Sequence, residues 1–107
     1  MPNSLRVLVL EDDEQLQRTW ARILRRKGHE VTVVKNLSEA EAALSGQFDV
    51  FLLDRQLEGE DGWSFKDRAP PGVRVVLMTG NPPENCPPCF VKPGNTEELF
   101  RWVEGRM

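Results

Sequence analysis

Four short apolar runs each end on a polar group: Val7 to Leu10 before Glu11-Asp12-Asp13, Phe51-Leu52-Leu53 before Asp54, Val75 to Met78 before Thr79, and Phe90-Val91 before Lys92-Pro93. Continuous apolar runs of this length suit strands covered on both faces. Val31-Thr32-Val33-Val34 is a further strand, and the third strand is predicted from Phe48 to Leu53. Helical patterns lie between them. Leu16, Trp20, Ile23, Leu24 and Lys27 recur at three- and four-residue spacing, with Asp12 or Asp13 as cap and Gly28 placed to end the helix in the left-handed conformation. Leu16, Trp20, Ile23 and Leu24 form its predicted buried face. Ser38 with Glu41 reads as a capping box for a second helix to Leu44 or Ser45, stopped by Gly46. Asp61-Gly62-Trp63-Ser64-Phe65 opens a short helix, Pro70-Pro71-Gly72 breaks the chain, and Thr96 caps a last helix through Trp102 and Val103.

Strands alternating with helices predict a doubly wound α/β sheet, because parallel neighbours need crossover connections. The segment between Gly80 and Phe90 departs from this pattern. Asn81 to Cys89 carries Pro82, Pro83, Pro87 and Pro88, and each proline inside a helix costs about 3 kcal/mol. No regular crossover helix is expected there. Polyproline geometry carries nine residues about 28 Å where a helix covers about 13 Å, so an extended arm is expected to return across the sheet.

In an open parallel sheet ligands bind outside the carboxyl ends of the strands. The polar groups that end the four runs would therefore converge in one crevice: the acids of two strand ends, a hydroxyl and an ammonium. That set suits metal-assisted phosphoryl chemistry. A carboxylate attacking a phosphoryl group meets charge repulsion, which a hard, oxygen-preferring cation such as Mg2+ neutralises. Lys92 offers a compact charge and Thr79 a hydroxyl donor for phosphoryl oxygens. Singly, each element has a plainer reading: Glu11-Asp12-Asp13 as helix caps, Thr79 as a strand end bonded to backbone, Lys92 as a solvated charge.

Length and charge narrow the class. The 107 residues suit one domain, 1–107, and a net charge of -3 with interspersed signs shows no basic stripe for nucleic acid. No run of 18 apolar residues occurs, and Met1-Pro2-Asn3-Ser4 lacks signal-peptide features. A soluble, cytoplasmic protein without membrane or direct nucleic-acid contact is expected. Cys86 and Cys89 are too few for a disulfide scaffold. Their C-x-x-C spacing has a redox reading, but such motifs open helices and two prolines stand between them. Zinc would need further ligands, and His29 is the only histidine.

Taken together these residues resemble the receiver domain of two-component response regulators over essentially the whole chain. Glu11 and Asp12 match the family's acidic pair, Asp54 its phosphoacceptor, Thr79-Gly80 the switch hydroxyl and following small residue, and Lys92-Pro93 the lysine before a frequently cis proline. Leu57 and Asp61-Gly62 fall at the family's spacing after the acceptor. The resemblance implies a flavodoxin-like, five-stranded parallel sheet of order 2-1-3-4-5, with the fourth crossover helix missing or vestigial. It implies Mg2+ on Asp12, Asp54 and the Gln56 carbonyl, with Glu11 through water and Asp13 as accessory acid and cap. It also implies a sensor histidine kinase or histidine phosphotransfer protein as donor, an unnamed protein downstream, and slow self-hydrolysis without conventional enzyme activity.

Three departures stand out. Cys89 occupies the position three before Lys92, where the family carries a switch aromatic. The proline arm replaces the output helix, and Glu58 stands where proline is common. These favour an alternative, a pseudo-receiver that docks independently of phosphorylation, and imply a response in residues 79–92 without the usual helix-face dimer. An aspartate-nucleophile hydrolase of the dehalogenase type ranks last, because Gln56 stands where that class places a second aspartate.

Overall fold

The computed structural model describes residues 4–54, 56–57, 59–79 and 89–91. In chain order it contains β1 (Arg6–Leu10), α1 (Glu14–Arg26), β2 (Glu30–Val34), α2 (Leu37–Ala43), β3 (Val50–Asp54), β4 (Gln56–Leu57), β5 (Glu60–Asp61), a 3₁₀ helix η1 (Gly62–Arg68), β6 (Arg74–Thr79) and β7 (Cys89–Val91). The main sheet is parallel and ordered β2-β1-β3-β6-β7. Leaving out the antiparallel hairpin β4-β5, this is the 2-1-3-4-5 order of a doubly wound sheet.

Period-two alternation divides each strand between two cores. Val7, Val9, Val50, Leu52, Val76 and Met78 pack with Trp20 and Leu24 of α1 on one face. Leu8, Leu10, Phe51 and Leu53 pack with Ala40 of α2 and Phe65 of η1 on the other. Every residue of β3 is buried, so the apolar runs are the sequence signature of a sheet covered on both sides. The α1 stripe is centred slightly differently from the prediction: Trp20, Ala21 and Leu24 are buried, whereas Leu16 and Ile23 are partly covered at the margin. Gly28 follows the helix with φ 95°, a conformation that L side chains rarely adopt.

The second helix corrects the sequence reading. Its cap is Asn36, whose side chain accepts the Glu39 N–H at 2.8 Å, while the Glu39 carboxylate accepts the Lys35 N–H at 2.9 Å. The Ser38/Glu41 box is displaced because Asn36 already holds the extended backbone of a cap, leaving Ser38 inside the first turn. The third strand begins at Val50 rather than Phe48, whose ring instead packs edge-on against Phe51 at 6.0 Å. The hairpin β4-β5 was not anticipated.

Register places the two ends of the proline arm close together. Cys89 pairs with Leu77 and Val91 with Thr79, so β7 starts only two residues back from the end of β6, a rise of about 7 Å. The return across the sheet requires far less than the reach of an extended nine-residue segment. The missing fourth helix, Gly80, Cys86 and the C-terminal helix from Thr96 lie outside the described residues.

At the sheet edge opposite the acids, Asp49 fastens three strands. Its carboxylate accepts from the Arg6 backbone N–H at 2.8 Å and from the Arg6 guanidinium at 3.2 Å; its own N–H donates to the Arg6 carbonyl and its carbonyl accepts from Arg74 N–H. The Arg6 side chain and backbone hydrogen bonds hold the Asp49 carboxyl below the usual carboxylate range. Such a group contributes stability above its unfolded pKa, and that contribution is lost as pH falls through the lower folded value. Asp49→Asn should therefore lower the denaturant midpoint at neutral pH, and the difference should close in strong acid, below the ordinary aspartate range. A difference that persists there would assign the effect to packing.

Candidate functional site

Glu11 and Asp54 are brought together by register. β1 and β3 pair through Leu10 and Leu53, so the residues one step further, Glu11 and Asp54, stand on neighbouring strand ends and continue the rows Val7-Val9 and Val50-Leu52. Both are buried, at 1% and 2% exposure, and Asp12 beside them is more accessible. One carboxylate oxygen from each of Glu11, Asp12 and Asp54 lies within 4.8 Å of the others. Octahedral Mg2+ places neighbouring ligand oxygens about 3.0 Å apart and opposite ones about 4.2 Å apart. The donor set is all oxygen and already near that span, and three clustered carboxylates favour a hard dication electrostatically. The residues fit Mg2+.

The turn that carries the acids is held from several sides. The Glu11 N–H donates to the Val34 carbonyl at 3.0 Å, fastening the turn to β2. Asp13 is the cap of α1: its Oδ1 accepts from Gln15 N–H at 2.9 Å and Leu16 N–H at 3.1 Å, while its own N–H approaches Glu11 Oε2 at 3.4 Å. This resolves the choice between Asp12 and Asp13 and leaves Asp12 to the cluster. Gln17 Nε2 donates to the Glu11 carbonyl, clamping the turn from the first turns of α1. Sequence reasoning missed Gln17, which carries no motif. Gln17→Leu should weaken Mg2+ binding about tenfold, the low end for residues that orient ligands, with helix content unchanged. An unaltered affinity in a fluorescence titration would show that the turn is held without this clamp.

Gly62 has a geometric reason beyond its spacing. A Cβ there would fall 1.9 Å from the Asp54 carbonyl oxygen and 3.1 Å from Leu57 Cδ1. Only glycine lets η1 begin against the back of Asp54, while buried Leu57 anchors the connecting hairpin in the core.

The other candidate residues fall at the same edge as far as they are described. Asp54 pairs with Met78, the residue before Thr79, and Thr79 ends β6 opposite Val91 of β7. Gln56 lies on β4 opposite Asp61. Cys89 opens β7 rather than lying in a loop. Lys92, Pro93, Gly80 and Glu58 lie outside the described residues. Among the described residues, no helix is long and apolar enough to cross a membrane.

Comparison with known proteins agrees with this architecture. Over 62 residues the chain is 37% identical to the transcriptional regulatory protein TcrA of Mycobacterium tuberculosis, covering 57% of this chain but 24% of that protein. It thus spans about a quarter of the curated relative it matches. The chemotaxis protein CheY4 of Vibrio cholerae superimposes with a TM-score of 0.85 at 18% identity, covering 97% of this chain and 99% of the other. The response regulator TrrA of Thermotoga maritima, solved in complex with Mg2+-BeF, superimposes with a TM-score of 0.81 at 22% identity, covering 96% of this chain and 99% of the other. At these identities the solved structures share the fold. The sequence itself matches the response regulator receiver domain over residues 7–101, and the chain belongs to that family.

Proposed function

We propose that this chain is a phosphoacceptor of two-component signalling, taking a phosphoryl group onto Asp54 from a sensor histidine kinase or a histidine phosphotransfer protein. The observation that carries this reading is the convergence of Glu11, Asp12 and buried Asp54 at the carboxyl edge of a parallel sheet. The neighbour solved with Mg2+-BeF supports the same ion here. Asp12 and Asp54 would ligate Mg2+ directly, with the Gln56 carbonyl, and Glu11 through water. When bound, the ion neutralises charge between the carboxylate and the incoming phosphoryl oxygens.

An Asp54 oxygen attacks phosphorus in line with the phosphohistidine nitrogen. The O–P bond forms as the P–N bond breaks, and its electron pair returns to the imidazole. Lys92 balances charge on a phosphoryl oxygen and Thr79 donates to another. The acyl phosphate then biases two conformations by its different contacts in each. Its slow hydrolysis returns the carboxylate, so the chain acts as a cytoplasmic switch rather than a conventional enzyme. A docking module independent of phosphorylation is favoured by Cys89 at the position of the switch aromatic.

Incubation with a small phosphodonor separates the two readings. With Mg2+ the chain should gain one hydroxylamine-labile phosphoryl group, and chelation should suppress it. Asp12→Asn should weaken Mg2+ binding by at least about tenfold, since it removes a charged ligand. Mg2+-independent labelling, or unchanged Mg2+ affinity in that variant, would count against the assignment.

A further inference from the structure

The interspersed charges of the sequence conceal a local concentration of one sign. Arg18, Arg22, Arg25 and Arg26 follow one another at four, three and one residue on α1, and all four are exposed. They rim a groove of about 780 Å³ between α1 and β2, which Gln17 also lines and whose floor is Ala21 and Val33. Ala21 is 6% exposed and Val33 is partly buried against the α1-side core. Among the described residues, the acid paired with this row is Glu14, whose carboxylate lies 3.9 Å from Arg18 with both side chains more than four-fifths exposed. Such a contact neutralises little.

β2 forms the other wall, and it is an outer strand of the sheet. Glu30 N–H and the Val34 carbonyl bond toward β1 and its following turn, so alternation turns the backbone groups of Val31 and Val33 outward. The Arg25 guanidinium donates to the Val31 carbonyl at 3.0 Å, capping one of the four backbone groups on that edge. The Val33 backbone stays along this edge, while its side chain lines the groove.

We propose that this groove docks an acidic, amphipathic segment of a partner protein, with Asp or Glu side chains on the arginine rim and apolar side chains on Ala21 and Val33. Arginine forks suit carboxylates because they donate two parallel hydrogen bonds. The apolar floor distinguishes this occupant from a nucleic acid, whose phosphate backbone has nothing to place there. The overall charge of -3 also repels an extended polyanion beyond the groove while leaving a short acidic segment attracted to it. The interaction is independent of the chemistry at Asp54.

The test is a titration of the full chain, followed by amide NMR, with a synthetic peptide carrying Glu and Leu on opposite helical faces. Saturable shifts at Ala21, Arg22, Arg26 and Val33 are expected. Arg22→Glu with Arg26→Glu should weaken binding at least tenfold, and Arg22→Gln with Arg26→Gln less; both pairs are on exposed positions, and circular dichroism checks that each variant is folded. Replacing the peptide's Leu residues by Ser, with charge unchanged, should also weaken binding at least tenfold. Equal binding of the Ser peptide, tighter binding of a single-stranded oligonucleotide to the same residues, or no saturable shift at all would overturn the proposal.

Discussion

Asp54→Asn should abolish phosphoryl incorporation, lowering the rate by at least about a thousandfold, because the carboxamide lacks the anionic nucleophile. The fold should survive, since the replacement has the same shape at a site 2% exposed. Without Mg2+ the variant should be somewhat more stable than the native chain, because it removes one of three carboxylates whose oxygens lie within 4.8 Å. Added Mg2+ should reverse that order by stabilising the native protein through binding. Thermal melts with and without Mg2+ check both signs. Labelling of Asp54→Asn at the native rate would place the acceptor elsewhere.

Gly62→Ala should produce the largest loss of stability from one added methyl group. A Cβ at 1.9 Å from the Asp54 carbonyl oxygen cannot be absorbed by side-chain rotation, because the atom it meets is backbone. Either η1 or the end of β3 must move. Overpacking of this kind costs about 1–3 kcal/mol, and the displacement falls on Asp54, the proposed acceptor. Mg2+ affinity and labelling should therefore fall together with the denaturation midpoint. A variant with native stability but lost labelling would show that Gly62 acts only on the site, and native behaviour in both would contradict the geometry.

Much of this arrangement was legible because both-face burial leaves an unmistakable mark. Val7 to Leu10 and Phe51 to Leu53 are continuous apolar runs whose ends are set by the first charged residue, so the strands and the acids at their tips are read in one step. Parallel register then brings Glu11 opposite Asp54 without further information. Capping was less legible, since Ser38/Glu41 and Asn36/Glu39 offer overlapping boxes two residues apart, and the choice depends on where the chain leaves β2. Gly62 was visible only as a spacing, because its cause is a close approach to a residue eight positions earlier. Gln17 and the arginine groove left no local signal: one acts on a carbonyl across a turn, and the other depends on the side of α1 that meets the outer strand β2. Net charge averaged that groove away.

Asp54 is the proposed phosphorylated residue, and Mg2+ held by its acidic neighbours is what makes it so. Mass-spectrometric location of the phosphoryl group, after reaction of the native chain with a small phosphodonor, tests it most directly. A single modification on Asp54, present with Mg2+ and absent after chelation, is the expected result. Modification on Asp12, Asp13 or Glu58, or the same Asp54 yield without Mg2+, would contradict it.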